Sequence, residues 1–510
     1  MKKMIKNCWL IISCYVFLIG VKCKAGTDSL TAVIDIVVHD QALLKDAVLE
    51  FELYKDGISS KYIKSRQYSR TELVDSMTRF NVPLSTTINY GRIVFTSGKL
   101  RGISSPVNLN YSNNLFLFEH GDTIQVHLYP KKIKDVVFTG NRASKYAALY
   151  EVNNSKKIDI PINNLLNDLF ERNEITAAFD VMQKWADSLN RALALILSGE
   201  DHIINPYVKE RILFDNTSYT YNVMRTKLDQ LVRKKESDVA VLQLVYDFLS
   251  QRIFEQRSLV SDTLAASSHD WCDMLLFNER LRSRVKYILA GESPRQGESM
   301  GQALSERYTG QVRSKLDYLA LLRNLDEDGY IRRTLRESET DNSELSEYQL
   351  AAVQFLARSE GAPAFNFEMV DANDSMHRMS DYKGKVLVLD FWFSGCMACM
   401  YLTKEMHEAV KYYESADDVV FVSLNFDRYR DFWKRSLASG KYTHESGLNL
   451  WAGETGTKHP IVGYYEIQSY PTLLIVNKDG ILVEKHVNRL FTKEDRTATD
   501  KFKAIVDQYR

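Results

Sequence analysis

The stretch LDFWFSGCMACM, Leu389 to Met400, places two of the chain's six cysteines three residues apart. Before it runs KVLVLDFW, apolar until Asp390, as a parallel strand buried on both faces should be. After it, MACMYLTKEMHEAVKYY carries a helical pattern, so the pair falls where a buried strand hands over to a helix. Cys396 is then at the helix N-terminus, where unpaired backbone N–H groups and the macrodipole favour an anion. Cys-X-X-Cys thiols in such settings titrate at roughly 3.5–7.5 instead of about 8.5, which makes Cys396 the attacking sulfur. Cys399, one turn further in, shares a face with Leu402, Met406, Ala409 and Tyr413. That apolar setting keeps its thiol protonated until a mixed disulfide at Cys396 has to be resolved. Asp390, at the end of the apolar strand, is costly unless paired or protonated, and is expected to take the Cys399 proton.

The other cysteines support a chemical role for this pair. MKKMIK followed by CWLIISCYVFLIGV is a positive start and a short apolar core, the pattern of a signal peptide over residues 1–25. Cleavage after Ala25 would remove Cys8, Cys14 and Cys23 and leave a soluble exported protein with Cys272, Cys396 and Cys399. Lys22 before Cys23 argues against lipoprotein processing, and an uncleaved anchor is the other reading. A disulfide-stabilised exported protein would carry more cysteines at spread spacings. Cys272, within HDWCDMLLF, reads as a small buried hydrophobe.

Residues 27–142 read as a β-rich, sandwich-like domain, from runs such as AVIDIVVHD, VLEFELYK, GRIVFTS and TIQVHLYP. His39, His120 and His127 fall here without metal-ligand spacing and read as strand-face residues. Residues 143–358 read as an α-helical domain, with apolar residues at three- and four-residue intervals. Within it GESMG, Gly297 to Gly301, fits the hydrolase G-x-S-x-G pattern, but a polar, turn-like AGESPRQ precedes it where a buried strand is required. His407-Glu408 begins an H-E-x-x-H zinc motif whose fifth position is Lys411. Lysine plus arginine equals aspartate plus glutamate at 66 each, with no basic stripe, so no nucleic-acid partner is expected.

Residues 361–510 read as an α/β domain of strand, helix, strand, hairpin and helix. Asp390-Phe391-Trp392, Cys396-Met-Ala-Cys399 and Tyr470-Pro471-Thr472 fall there in one order. By these residues the region resembles the thioredoxin superfamily, and most closely its exported TlpA/ResA-like branch of Bacteroidota type. The resemblance implies a Cys396–Cys399 disulfide, a cis Pro471 facing it, and Tyr470 offering backbone to an extended substrate segment. It also implies a partner surface that includes Trp392 and Gly395. FLFEHGDTIQVHLY followed by FTGNRASKYAALY is similar to the junction between domains in multidomain relatives. Two features depart from the family. Gly395 stands where tryptophan is usual, which is expected to expose more of Cys396, and Met397-Ala398 lacks the usual proline and the histidine of strong oxidants.

These readings converge on a periplasmic thiol–disulfide oxidoreductase, a reductase or isomerase before an oxidant. Its partners would be protein thiols and disulfides, with a separate redox protein recycling the active site. No nicotinamide or flavin cofactor is expected, because no Gly-rich dinucleotide fingerprint follows a strand. A peroxiredoxin-like peroxidase would need a threonine at the position of Phe393. A zinc module would need four ligands where one pair supplies two, so no metal is expected. The remaining alternative is an exported ligand- or partner-binding protein with an accessory redox domain.

Overall fold

Thr31–Val38 (β1) reads TAVIDIVV, and Ala32, Ile34, Ile36 and Val38 are all buried, the two-residue period of a strand with one face in a core. The computed structural model describes residues 30–39, 48–54, 66–72, 76–84, 87–96, 116–129, 136–155, 160–198, 204–255, 262–268, 270–292, 299–326, 329–340, 345–467, 469–492 and 497–510. The expected signal segment 1–25, with Cys8, Cys14 and Cys23, lies outside the described residues. Among the described residues no helix is long and apolar enough to cross a membrane.

Seven further strands follow among the described residues: Val48–Tyr54 (β2), Arg66–Glu72 (β3), Met77–Pro83 (β4), Ile88–Thr96 (β5), Phe116–Glu119 (β6), Thr123–Leu128 (β7) and Val136–Gly140 (β8). They form two four-stranded sheets, ordered β4-β1-β7-β8 and β3-β2-β5-β6. Ile34 and Val126 from one sheet share a core with Ile93 and Phe116 from the other, which makes the region sandwich-like. β3 (RQYSRTE) and β4 (MTRFNVP) do not stand out in the sequence because each is an edge strand, where polar side chains are tolerated.

Nine helices of the described residues complete this unit: Ala143–Ser155 (α1), Ile160–Glu171 (α2), Ile175–Ser198 (α3), Pro206–Lys234 (α4), Val239–Glu255 (α5), Asp262–Ser267 (α6), Trp271–Ala290 (α7), Met300–Arg307 (α8) and Gly310–Leu322 (α9). Leu193 and Leu197 of α3 and Val208 and Ile212 of α4 enter the same core as the strands. The strands and these helices therefore condense as one compact unit, Met1–Asp328, and Gly329–Arg510 forms a second. The helical stretch 143–358 is divided between them, with Tyr330–Thr340 (α10) and Glu347–Leu356 (α11) in the second.

The β6–β7 turn is tied to α1 by buried charges. Lys145 Nζ donates to Glu119 Oε1 at 2.8 Å and to Asp122 Oδ2 at 2.7 Å, and all three residues are buried. The Tyr146 hydroxyl also donates to Asp122 Oδ2, at 2.5 Å, and Arg142 Nη1 reaches Asp122 Oδ1 at 3.1 Å. The bend into α1 needs Gly140, whose φ of +105° and close approach to the Thr123 carbonyl leave no room for a side chain. This clasp gives the EHGD and GNRASKY segments their shared structural purpose.

The other residues singled out in this unit have ordinary structural roles. Ser299 caps α8 in a full capping box with Gln302, so the serine of GESMG starts a helix. Cys272 is buried in α7, where burial pushes its thiol up to about 12. His39 and His127 meet at 3.1 Å and stack with Tyr129, while His120 Nδ1 accepts the Thr31 N–H.

The second unit is built on a seven-stranded sheet ordered β10-β9-β13-β12-β11-β14-β15. Its strands are Glu368–Val370 (β9), Met376–Arg378 (β10), Val386–Trp392 (β11), Val419–Asn425 (β12), Leu448–Trp451 (β13), Thr472–Val476 (β14) and Leu482–Lys485 (β15). Met397–Tyr412 (α12) links the parallel pair β11 and β12, and β14 runs antiparallel to β11. Arg430–Ala438 (α13), Pro460–Tyr464 (α14) and Ala498–Gln508 (α15) complete it. β11 is an interior, buried strand, which explains its apolar run up to Asp390. Leu387, Leu389 and Phe391 enter one core; Val386 and Val388 enter the other, beneath Leu402 and Met406 of α12 and Phe502 of α15.

Candidate active site

α12 begins at its N-cap, Cys396, whose Sγ accepts the Cys399 N–H at 3.1 Å. The strand-to-helix handover thus puts one sulfur against the unpaired amides of a helix start, where a thiolate is favoured once the pair is reduced. Cys396 and Cys399 are joined as a disulfide with an S–S distance of 1.97 Å and a Cα–Cα distance of 5.3 Å. Cys399, Leu402, Met406 and Ala409 are buried along one face of α12, as the helical spacing predicts.

Asp390 lies inside β11, with Phe391 and Trp392 continuing the strand beyond it. It is opposite Ser423 of β12 and Leu473 of β14, not at a strand end. The two-residue period puts it on the same sheet face as Val386 and Val388, the face that α12 covers. Part of its side chain keeps solvent contact, but Oδ1 is closed off and has no hydrogen-bond partner. Burial pushes this carboxyl up to about 7. Desolvation is the cause, because the charged form loses water without gaining a donor.

The loop between β11 and α12 is held from several sides. Gly395 has a φ of +88°, a left-handed conformation that side-chain-bearing residues rarely adopt. Its N–H donates to the Tyr442 hydroxyl at 3.0 Å, and the Tyr442 ring stacks on Trp392 with centroids 5.0 Å apart. Ser394 donates its N–H to Asp427 Oδ1 at 3.0 Å and its hydroxyl to Asp427 Oδ2 at 2.5 Å. Asn425 Nδ2 donates to the same carboxylate at 3.0 Å, so a second buried acid is fully occupied in shaping the loop.

Trp392, Cys396, Cys399, Trp433 and Tyr442 pack as one cluster, with Tyr470 against it. Two expectations change here. Trp392 is wholly buried, so its ring supports the loop from beneath and presents no partner surface. Cys396 is only 7% accessible despite Gly395, because this cluster closes around the disulfide. The Tyr470–Pro471 bond is cis, and Phe393 meets the Tyr470 ring edge-on at 5.2 Å.

Sequence reading missed Ser394, Asp427 and Tyr442. The available signal was the Asn425-Phe-Asp427 ending of an apolar strand, in which Asp427 N–H bonds Asn425 Oδ1. His407 lies near His444, with ring centroids 5.8 Å apart, beside a cavity of about 410 Å³ also lined by Lys404 and Lys441. No group of three or more potential metal ligands occurs among the described residues.

A family model described as thioredoxin-like matches residues 384–482, the span from the turn before β11 to the start of β15. The fold and the cysteine pair thus define a thioredoxin-like domain. A thioredoxin-like protein of Bacillus subtilis, YneN, is 26% identical over 147 residues, covering 29% of this chain and 82% of that protein. The thiol-disulfide oxidoreductase ResA of Bacillus cereus is 30% identical over 135 residues, 26% of this chain and 72% of its own length. Among solved structures, the thioredoxin domain of a thiol-disulfide oxidoreductase from Bacteroides vulgatus matches at 21% identity with a TM-score of 0.25, covering 30% of this chain and 97% of that one. Through its C-terminal region the chain belongs to the ResA-like thiol-disulfide oxidoreductases of the thioredoxin superfamily.

Proposed function

We propose that the protein is exported to the periplasm and there acts as a reductase or isomerase of protein disulfides. The observation that carries this reading is Cys396 at the head of α12, its Sγ 3.1 Å from the Cys399 amide nitrogen, with Asp390, whose Oδ1 has no hydrogen-bond partner, on the sheet face that α12 covers. In the reduced enzyme the Cys396 thiolate attacks one sulfur of a client disulfide, forming a mixed disulfide and releasing one client thiolate. Cys399 gives its proton to Asp390 and attacks Cys396 Sγ, which releases the second client thiolate. Two electrons pass to the client and the enzyme is left with the Cys396–Cys399 disulfide. Tyr470 and Pro471 offer backbone to the client segment, as the family resemblance implies. A separate redox protein then restores the dithiol. Met397-Ala398, without histidine, favours the reducing direction, and the apolar leader supports export.

The test is turnover of insulin disulfides by the dithiothreitol-primed full chain. Cys396→Ser is expected to reduce the rate to the buffer blank, and Cys399→Ser to trap a mixed disulfide. Unchanged insulin reduction by Cys396→Ser would end the reading. Equilibration with glutathione should place the couple nearer about −270 mV than about −120 mV, the values of a reducing and an oxidising relative.

A further inference from the structure

Four large apolar side chains that the second unit leaves exposed lie about one loop. Phe393 and Met397 flank the Ser394–Cys396 turn, and Tyr429 and Phe432 open α13 beside it. The juxtaposition is fixed by Ser394, whose hydroxyl oxygen lies 3.3 Å from the Phe432 carbonyl oxygen and 2.6 Å from Ser436 Oγ. Met397 is 79% accessible and Tyr429 60%, values that core packing does not explain. Exposed apolar groups gathered in one place mark interaction surfaces.

Each ring of the α13 pair carries an arginine. The Arg428 guanidinium lies 6.0 Å from the Tyr429 centroid, and that of Arg435 lies 4.8 Å from the Phe432 centroid. Between Asp427 and Lys441 the sequence has five basic residues, Arg428, Arg430, Lys434, Arg435 and Lys441, against Asp427 and Asp431. Asp427 is buried and occupied by the loop, and Arg430 is paired with Asp374. The solvent-facing charge of this segment is therefore positive, although the whole chain balances 66 against 66.

We propose that Phe393, Met397, Tyr429 and Phe432, with Arg428 and Arg435, form the docking surface for an extended polypeptide whose reacting cysteine is flanked by apolar and acidic residues. This rests on the redox reading above. The rings supply apolar area to bury, and the stacked guanidiniums are held ready for carboxylates in a fork geometry. A second copy of the chain fits less well, because a two-fold contact through this face would set its arginines against one another.

The test uses the reduced full-length chain and two synthetic peptides, each closed by one internal disulfide with phenylalanine beside each cysteine. One carries aspartates at the flanks and the other lysines. The expected kcat/KM is about tenfold higher for the aspartate peptide near 20 mM salt, with most of that advantage lost near 500 mM as screening shortens the reach of the charges. Arg428→Glu with Arg435→Glu should reverse the order while turnover of neutral 2-hydroxyethyl disulfide persists. Equal rates for the two peptides, or a preference that survives the double charge reversal, would overturn the docking surface and leave the redox reading standing. Failure of the wild-type chain to turn over 2-hydroxyethyl disulfide would remove the redox reading, and the docking surface with it. Sedimentation showing a dimer dispersed by Phe432→Glu would assign the face to a second copy and also overturn the proposal.

Discussion

Two carboxyl groups in this chain, each with an oxygen closed off from solvent, have opposite surroundings. Asp122, in the first unit, is completely inaccessible, and Lys145, Tyr146, Arg142 and the Glu119 N–H all donate to it. Asp390, in the second, has an oxygen closed off from solvent with no donor, and its carboxyl is pushed up to about 7. The first arrangement fixes a charge and uses it to join a turn to a helix. The second leaves the ionised form unsupported, so the proton can come and go near neutral pH. Burial alone does not mark an acid for chemistry; a closed-off oxygen without donors makes the better candidate.

The most damaging way to break this comparison is to make the first site resemble the second. Lys145→Met retains most of the aliphatic stem but removes the lysine donor shared by Glu119 and Asp122. Leaving partners of a buried pair uncompensated typically costs about 3–5 kcal/mol. Urea unfolding of the full chain should show a loss of that size. A loss below about 1 kcal/mol would mean that the clasp contributes little to holding β6, β7 and α1 together.

The reverse change is Asp390→Asn, and its effect depends on pH. The folded carboxyl titrates at about 7 against an ordinary 3.8, so below the ordinary value both states hold the proton and folding carries no penalty. As pH rises towards 7 the unfolded chain ionises first, and stability falls until the folded carboxyl ionises too. The difference of 7 − 3.8 corresponds to about 4 kcal/mol. A buried amide with unmet donors returns about 1 kcal/mol of that. Asp390→Asn should therefore stabilise the protein by about 3 kcal/mol near pH 8 and by almost nothing near pH 4. The same variant should slow resolution of the mixed disulfide about 100-fold and remove an inflection near pH 7 from its rate profile. Equal stability at both pH values would show that Asp390 is as well supported as Asp122.

What the sequence disclosed follows from how far apart the participating residues lie. Cys396, Cys399 and the apolar run of β11 are consecutive in the chain, so spacing alone reports their geometry. The edge strands β3 and β4 escaped notice because polar residues are tolerated with a neighbour on one side only. EHGD and GNRASKY were recognisable as a shared junction, yet the reason, a lysine and two acids meeting across 23 to 26 positions, needed coordinates. Asp427 and Tyr442 stand 33 and 47 positions from the loop atoms they hold, and no local period reports such pairs. Trp392 misled for a related reason. Its place next to the active-site turn suggested a contact surface, but it is the last residue of a central strand and its ring turns inward against Tyr442.

Tyr442 offers the smallest and sharpest test of the contrast between partnered and partnerless groups. Its hydroxyl oxygen accepts the Gly395 N–H, whereas nothing donates to Asp390 Oδ1. Tyr442→Phe keeps the ring on Trp392 and deletes only that acceptor, so urea unfolding should register about 1 kcal/mol, the usual worth of one hydrogen bond. The pH at which mixed-disulfide resolution accelerates should not move, because in the proposed mechanism the loop bond holds geometry and the proton goes to Asp390. A shifted profile in Tyr442→Phe, with stability unchanged, would reverse those roles. The partnered tyrosine would then be tuning the chemistry, and the absence of donors at Asp390 would no longer distinguish the reactive acid from the structural one.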